Sequence, residues 1–216
     1  MIFDLDDTIS KEILYLESAY YEIAQFINSK IKQETSDIFS NLKIWYQSSE
    51  NVFQKAIDTY QLGTVHVTIK NLLDIYRNHS PNIKLTHSTS EILQYCKHKD
   101  YNLGLLTDGR SIQQRSKIKA LGLETYFQEI IISEEFGSEK PHPENYKHFE
   151  SIYGKGQYYY IGDNTSKDFI TPNALGWISV CVLDDSRNIH KQNFTLDSNY
   201  LPRVTLKSLD DLVLIL

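Results

Sequence analysis

The sequence predicts an α/β protein, a parallel sheet flanked by helices and interrupted after its first strand by an all-helical insertion. Two observations lead there. From Tyr101 onward short apolar runs alternate with longer amphipathic ones, the strand-then-helix order that builds a parallel sheet. From about Lys11 to His79, apolar residues recur only at helical spacing, with no convincing strand between them. A chain of 216 residues is long enough to bury such a core, as one large domain or one domain carrying an insertion.

In chain order, residues 1–4 can form only a short strand. The insertion opens with Ile13, Leu14, Leu16, Tyr20, Ile23, Ala24 and Ile27 on one helical stripe. About four helices are expected there, with breaks near 32–36, near 48–51 and near 62–64, where Gly63 interrupts the pattern. Tyr15, Phe26, Tyr46 and Phe53 are expected to build its core. Beyond it, residues 101–106, 129–132, 158–161 and 177–183 read as strands, and 111–121, 144–153 and 167–175 as helices. Gly122 and Gly176 stand where helices stop, and Pro143 where one starts. The expected division is a core of residues 1–10 and 86–216 and a helical domain of residues 11–85. The tail after Asp184 is too mixed in composition for an element to be assigned.

Composition narrows the partners. The formal net charge is -6, and the Lys and Arg residues are scattered, which argues against nucleic acid. A small anion remains possible, because one Lys and several backbone N–H groups suffice to make a site locally positive. Cys96 and Cys181 lie far apart without CxxC spacing, so neither a zinc site nor a disulfide framework is expected. The seven His residues show no ligand spacing. With no signal-peptide pattern and no apolar run of bilayer length, the protein is expected to be soluble and cytoplasmic, with no membrane partner.

The chemistry sits at the ends of the strands. Asp4-Leu5-Asp6-Asp7-Thr8 closes the first, and residues two apart on an extended chain point the same way, so Asp4 and Asp6 can face one site. Neighbouring carboxylates repel unless a cation lies beside them, and a hard divalent ion with a substrate phosphate meets that need. Gly162-Asp163-Asn164-Thr165-Ser166-Lys167-Asp168 follows another strand, and loops at the carboxyl ends of parallel strands converge on one crevice. Between them, Thr107 offers a hydroxyl, Gly109 permits close backbone approach and Lys140 offers a positive charge for a phosphoryl oxygen.

Asp-Leu-Asp-Asp-Thr, then Thr-Asp-Gly, then Lys-Pro, then Gly-Asp followed by Asp168, each at a strand end, resembles the four-motif pattern of the haloacid dehalogenase superfamily. The resemblance extends over nearly the whole chain and implies a Rossmann-like core with a helical cap of the first type. By that likeness Asp4 is the nucleophile and Asp6 the general acid and base. Thr107, Asp108 and Lys140 hold the phosphoryl group, and Asp4, the backbone carbonyl of Asp6, and Asp163 hold Mg²⁺, with Asp168 supporting the site from behind. Position 108 is Asp where relatives often have Asn, which adds negative charge beside the phosphate unless only its backbone N–H is used. The first strand is short beside that pattern, which would either weaken the sheet edge or reflect a truncated start.

The implied activity is Mg²⁺-dependent hydrolysis of a small phosphomonoester, a sugar phosphate or nucleoside monophosphate, through an aspartyl-phosphate. The cap would close over the site and exclude water, with Arg110 and residues 76–79 as candidate contacts for the substrate's polar end. A phosphomutase would use the same acids. A non-catalytic phosphometabolite-binding protein is the competitor from another class. An acid at position 6 argues against dehalogenation.

Overall fold

A computed structural model describes all residues, 1–216. The chain opens with β1 (Ile2–Phe3) and then runs through α1 (Glu12–Ile31), α2 (Thr35–Gln47), α3 (Val52–Thr59) and α4 (Ile69–Asn78). It continues as α5 (His87–His98), β2 (Gly104–Thr107), α6 (Ser111–Ala120), β3 (Glu129–Ile132), α7 (Ser133–Phe136) and α8 (Pro143–Tyr153). β4 (Tyr159–Gly162), α9 (Ile170–Ala174), β5 (Ile178–Val182) and β6 (Val204–Leu206) follow, with short 3-10 turns between some elements and a last one at Leu209–Leu214. By compactness the chain divides into two units, Met1–Ile13 with Lys84–Leu216, and Leu14–Ile83. No helix is long and apolar enough to cross a membrane.

The first unit is built on a six-stranded sheet of order β3-β2-β1-β4-β5-β6, all of whose pairings are parallel. β1 therefore lies inside the sheet and is paired on both sides, Phe3 with Leu105 and with Ile161. The expectation of a weakened edge is corrected by this placement: a two-residue strand is held because both of its neighbours are present. Its side chains reach the core, and Ile2 and Phe3 are fully buried.

One buried cluster joins Ile2, Leu106, Ile131, Phe149, Tyr160 and Trp177, among others. Tyr158 stacks on Trp177 with ring centroids 4.7 Å apart, and Tyr160 belongs to the same buried cluster. Gly104 lets α8 lie against the sheet, since a Cβ there would overlap the Phe149 ring and come within 2.9 Å of Ile2. Gly104→Ala is expected to destabilise the fold by about 1–3 kcal/mol through overpacking, read as a lower urea midpoint.

Three sequence-based elements need correction. The strand expected over 101–106 is β2, which starts later and includes Thr107. The helix expected over 167–175 is only α9, because the residues before it form a polar turn around Asp168. The stretch holding α5 received no element; its buried Thr89, Ile92, Leu93 and Cys96 do follow helical spacing, diluted by Ser, Thr and His, which favour caps and turns or form helix only moderately.

The second unit is helical. α1 buries Tyr15, Leu16, Ala19, Tyr20, Ile23, Ala24 and Ile27; the predicted stripe holds from Leu16 onward, but Tyr15 and Ala19 join it, while Ile13 is only half-buried and Leu14 is exposed. Ile38, Leu42 and Trp45 of α2, Ala56 of α3 and Leu72 of α4 are buried as well. Tyr20 makes edge contacts with Tyr46 and Phe53, and Tyr15 with Tyr76. Breaks fall at 32–34 and 48–51, and a 3-10 turn occupies Leu62–Val65.

Candidate active site

The carboxyl ends of the parallel strands bring together residues that lie far apart in sequence. Asp4 follows β1, Thr107 ends β2, Lys140 lies in the loop between α7 and α8, and Asp163 follows β4. They line one cavity of about 120 Å³ with Asp6, Asp108, Glu12, Lys167 and His190.

Lys140 is the hub. Its ammonium lies 2.8 Å from Asp4 Oδ1 and 2.9 Å from Asp168 Oδ1, and it donates to the Tyr160 hydroxyl at 3.1 Å. Three partners match its three N–H donors, which is how a side chain only 1% exposed keeps its charge. Burial pulls its pKa down, but Asp168, Asp4 and Asp108 outweigh that and leave it well above the ordinary lysine value. The peptide bond from Lys140 to Pro141 is cis.

Negative charge is in excess. Burial lifts the Asp4 carboxyl to about 7 against the pull of Lys140. Burial, then Asp168 and Asp4, push Asp163 up to about 9. Glu12 is raised to about 7 by burial and by Asp6. Oxygens of Asp4, Asp163 and Asp168 lie within 4.8 Å of one another, and all three residues are buried. Asp168 is already committed: one oxygen faces Lys140, and the other accepts the backbone N–H of Asp163 at 3.1 Å and of Asn164 at 2.9 Å. It organises the loop that carries Asp163.

The negative charge expected beside the phosphate site at Asp108 is paired. Its carboxylate accepts the Lys140 backbone N–H at 3.0 Å and lies 2.6 Å from Lys167 Nζ. Gly109, at φ +135°, leaves room for Gln114, whose amide nitrogen would lie 3.2 Å from an added Cβ. Asp6 and Asp4 line the same cavity, but their carboxylates have separate partners: Asp6 is gripped by Gln114 and Lys117 of α6.

The tail that resisted assignment folds back onto the site. Asn188 donates to Asp163 Oδ2 at 2.9 Å, and the Ile189 N–H donates to Asp7 Oδ2 at 2.9 Å. Gln192 binds the carbonyls of Asp163 and Val182 at 2.9 and 2.7 Å. Arg110, expected as a possible substrate contact, lies at a neighbouring cavity with Gly109, Ser133 and Gly137.

Sequence reasoning did not find Gln114, Lys117, Lys167, Tyr160 or Asn188. For the α6 pair a signal existed: Gln114 and Lys117, three apart, occupy the inward face of a helix whose apolar residues are too few to cover it. Lys167 and Asn188 sit in loops, where spacing carries no such information.

A family model for haloacid dehalogenase-like hydrolases matches residues 1–182. Glyceraldehyde 3-phosphate phosphatase from Methanocaldococcus jannaschii is 31% identical over 92% of this chain and 92% of its own. The crystal structure of a phosphatase of the same superfamily from Thermococcus onnurineus superposes with a TM-score of 0.61 at 18% identity, covering 99% of this chain and 95% of that one. L-2-haloacid dehalogenase from Xanthobacter autotrophicus does so with a TM-score of 0.59 at 16% identity, covering 98% and 95%. The last two establish shared fold only, and one fold hosts both chemistries. With the family match spanning β1 to β5 and the strand-end acids in place, the chain belongs to the haloacid dehalogenase-like hydrolases.

Proposed function

We propose that this hydrolase is a Mg²⁺-dependent phosphatase of small phosphorylated metabolites, with Asp4 as nucleophile and Asp6 as acid and base. The observation that carries the reading is the buried Asp4 carboxylate held 2.8 Å from Lys140 inside a small cavity that also contains Asp163. The 31% identity to a glyceraldehyde 3-phosphate phosphatase supports a sugar-phosphate type of substrate.

The donor set fits a hard divalent cation, since it is all oxygen and carries more negative charge than Lys140 neutralises. Asp4, Asp163 and the backbone carbonyl of Asp6 would hold Mg²⁺, which would offset charge on the phosphoryl oxygens. Asp4 attacks phosphorus in line and becomes an aspartyl-phosphate, while Lys140 and the Thr107 hydroxyl hold equatorial oxygens. Asp6 protonates the leaving alkoxide and then takes a proton from the water that hydrolyses the intermediate. Asp168 and Tyr160 keep Lys140 in place, and Lys167 offsets the charge of the Asp108 carboxylate.

Excess chelator is expected to abolish hydrolysis and Mg²⁺ to restore it; full activity in chelator would contradict the reading. Mg²⁺ binding is also expected to release protons. Asp163, raised to about 9, carries a proton at pH 7 that a bound cation must displace, so affinity rises between pH 7 and 9. Calorimetry in buffers of different ionisation enthalpy measures the release, and a buffer-independent heat would show Asp163 already ionised. Across substrates, kcat/KM on sugar phosphates is expected to exceed that on folded phosphoproteins, and the reverse order would exclude a small-metabolite enzyme.

A further inference from the structure

α6 starts immediately after the Thr107-Asp108-Gly109-Arg110 segment and turns a polar face inward. Gln114 and Lys117 are 2% and 4% exposed, beside the fully buried Ile118. The Gln114 amide nitrogen lies 2.9 Å from Asp6 Oδ2, 2.8 Å from Thr107 Oγ and 2.7 Å from the Asp108 carbonyl, so its two N–H groups serve three acceptors. Its own carbonyl oxygen is buried without a partner. Lys117 Nζ lies 2.7 Å from the other oxygen of Asp6 and 3.9 Å from Glu12. An orphaned amide oxygen and a buried ammonium both cost stability, and groups retained at such a cost concentrate where function needs them.

We propose that Gln114 and Lys117 are positioning residues for Asp6, gripping one carboxylate oxygen each and tying the proton-transfer group to the phosphate-binding loop. This rests on Asp6 acting as acid and base. A general acid must stay within hydrogen-bond reach of the leaving oxygen, and a carboxylate fixed at both oxygens cannot swing away between turnovers. Because Gln114 also holds Thr107 and the Asp108 carbonyl, the distance from acid to phosphate is set by one side chain. Lys117 supplies the opposing charge that lets Asp6 and Glu12 lie side by side.

The test separates this role from a merely structural one through the leaving group. kcat/KM reports events up to phosphoryl transfer to Asp4, where glyceraldehyde 3-phosphate needs a proton on its departing alkoxide and 4-nitrophenyl phosphate does not. Lys117→Met and Gln114→Leu are each expected to lower kcat/KM on glyceraldehyde 3-phosphate at least about ten-fold further than on 4-nitrophenyl phosphate, within the roughly 10²–10⁴ range of acid–base catalysis. Lys117→Arg should recover most of the difference. In an Asp6→Asn background neither substitution should widen it, because the group through which both act is gone. Equal losses on both esters, or undiminished extra loss in the Asp6→Asn background, overturn the inference. Gln114→Leu keeps the test open if Lys117→Met does not fold. If the wild-type protein hydrolyses neither ester, or Asp4→Asn remains active, the underlying reading fails instead.

Discussion

Asp4→Asn is expected to lower turnover by on the order of 10⁴-fold or more, the scale seen when a nucleophile is removed from a site whose binding groups remain. The substitution keeps shape and removes the attacking charge. Lys140 retains Asp168 and Tyr160, so no buried cation is stranded and the fold should persist. Rapid-quench labelling with a ³²P-ester checks the point, since wild type should carry transient acid-stable phosphate on Asp4 and the variant none. A folded variant turning over at near-normal rate would sink the nucleophile assignment.

Lys140→Met should combine the largest stability loss with loss of activity. It leaves Asp4 and Asp168 buried without their shared counter-ion, and breaking such a set typically costs about 3–5 kcal/mol. The sign with pH follows from Asp4, whose folded pKa already stands at about 7 with Lys140 present and must rise without it. A carboxyl raised in the folded state binds a proton that the unfolded chain releases, so stability falls as pH climbs from the unfolded value toward the folded one and levels off above it. The deficit against wild type should therefore be smaller at pH 5 than at pH 8, measured by urea denaturation. A deficit independent of pH would place the cost in packing rather than charge.

Much of this was legible in the sequence because it is written in local patterns. The Leu16 to Ile27 part of the stripe specifies α1, and the apolar run before Gly162 specifies β4, since period and burial coincide there. Asp4, Asp163 and Lys140 could be assembled in advance because parallel strands deliver their carboxyl ends to one edge whatever their separation along the chain. What could not be read was pairing across the site. The charge of Asp108 has no partner that the sequence reveals, and only the structure shows Lys167 opposite it. The segment after Asp184 has little periodicity because it binds through backbone and amide groups to Asp7 and Asp163, and such contacts leave no hydrophobic signature.

The interior position of β1 has a consequence for how the protein is made. Its only sheet partners are residues 104–105 and 160–161, so no pairing of β1 is local. Asp163 and Asp168 lie 159 and 164 residues after Asp4, so the surroundings of Asp4 cannot form until that whole stretch has left the ribosome. The helical unit Leu14–Ile83 needs no such wait, because its packing partners are near neighbours in the chain. Folding should thus start in the helical unit and draw β1 in late, as is usual where distant pairings must bear the entropy of closing long loops. Until β2 emerges β1 is a short apolar segment with no strand to pair with, and its other edge stays open until β4 arrives.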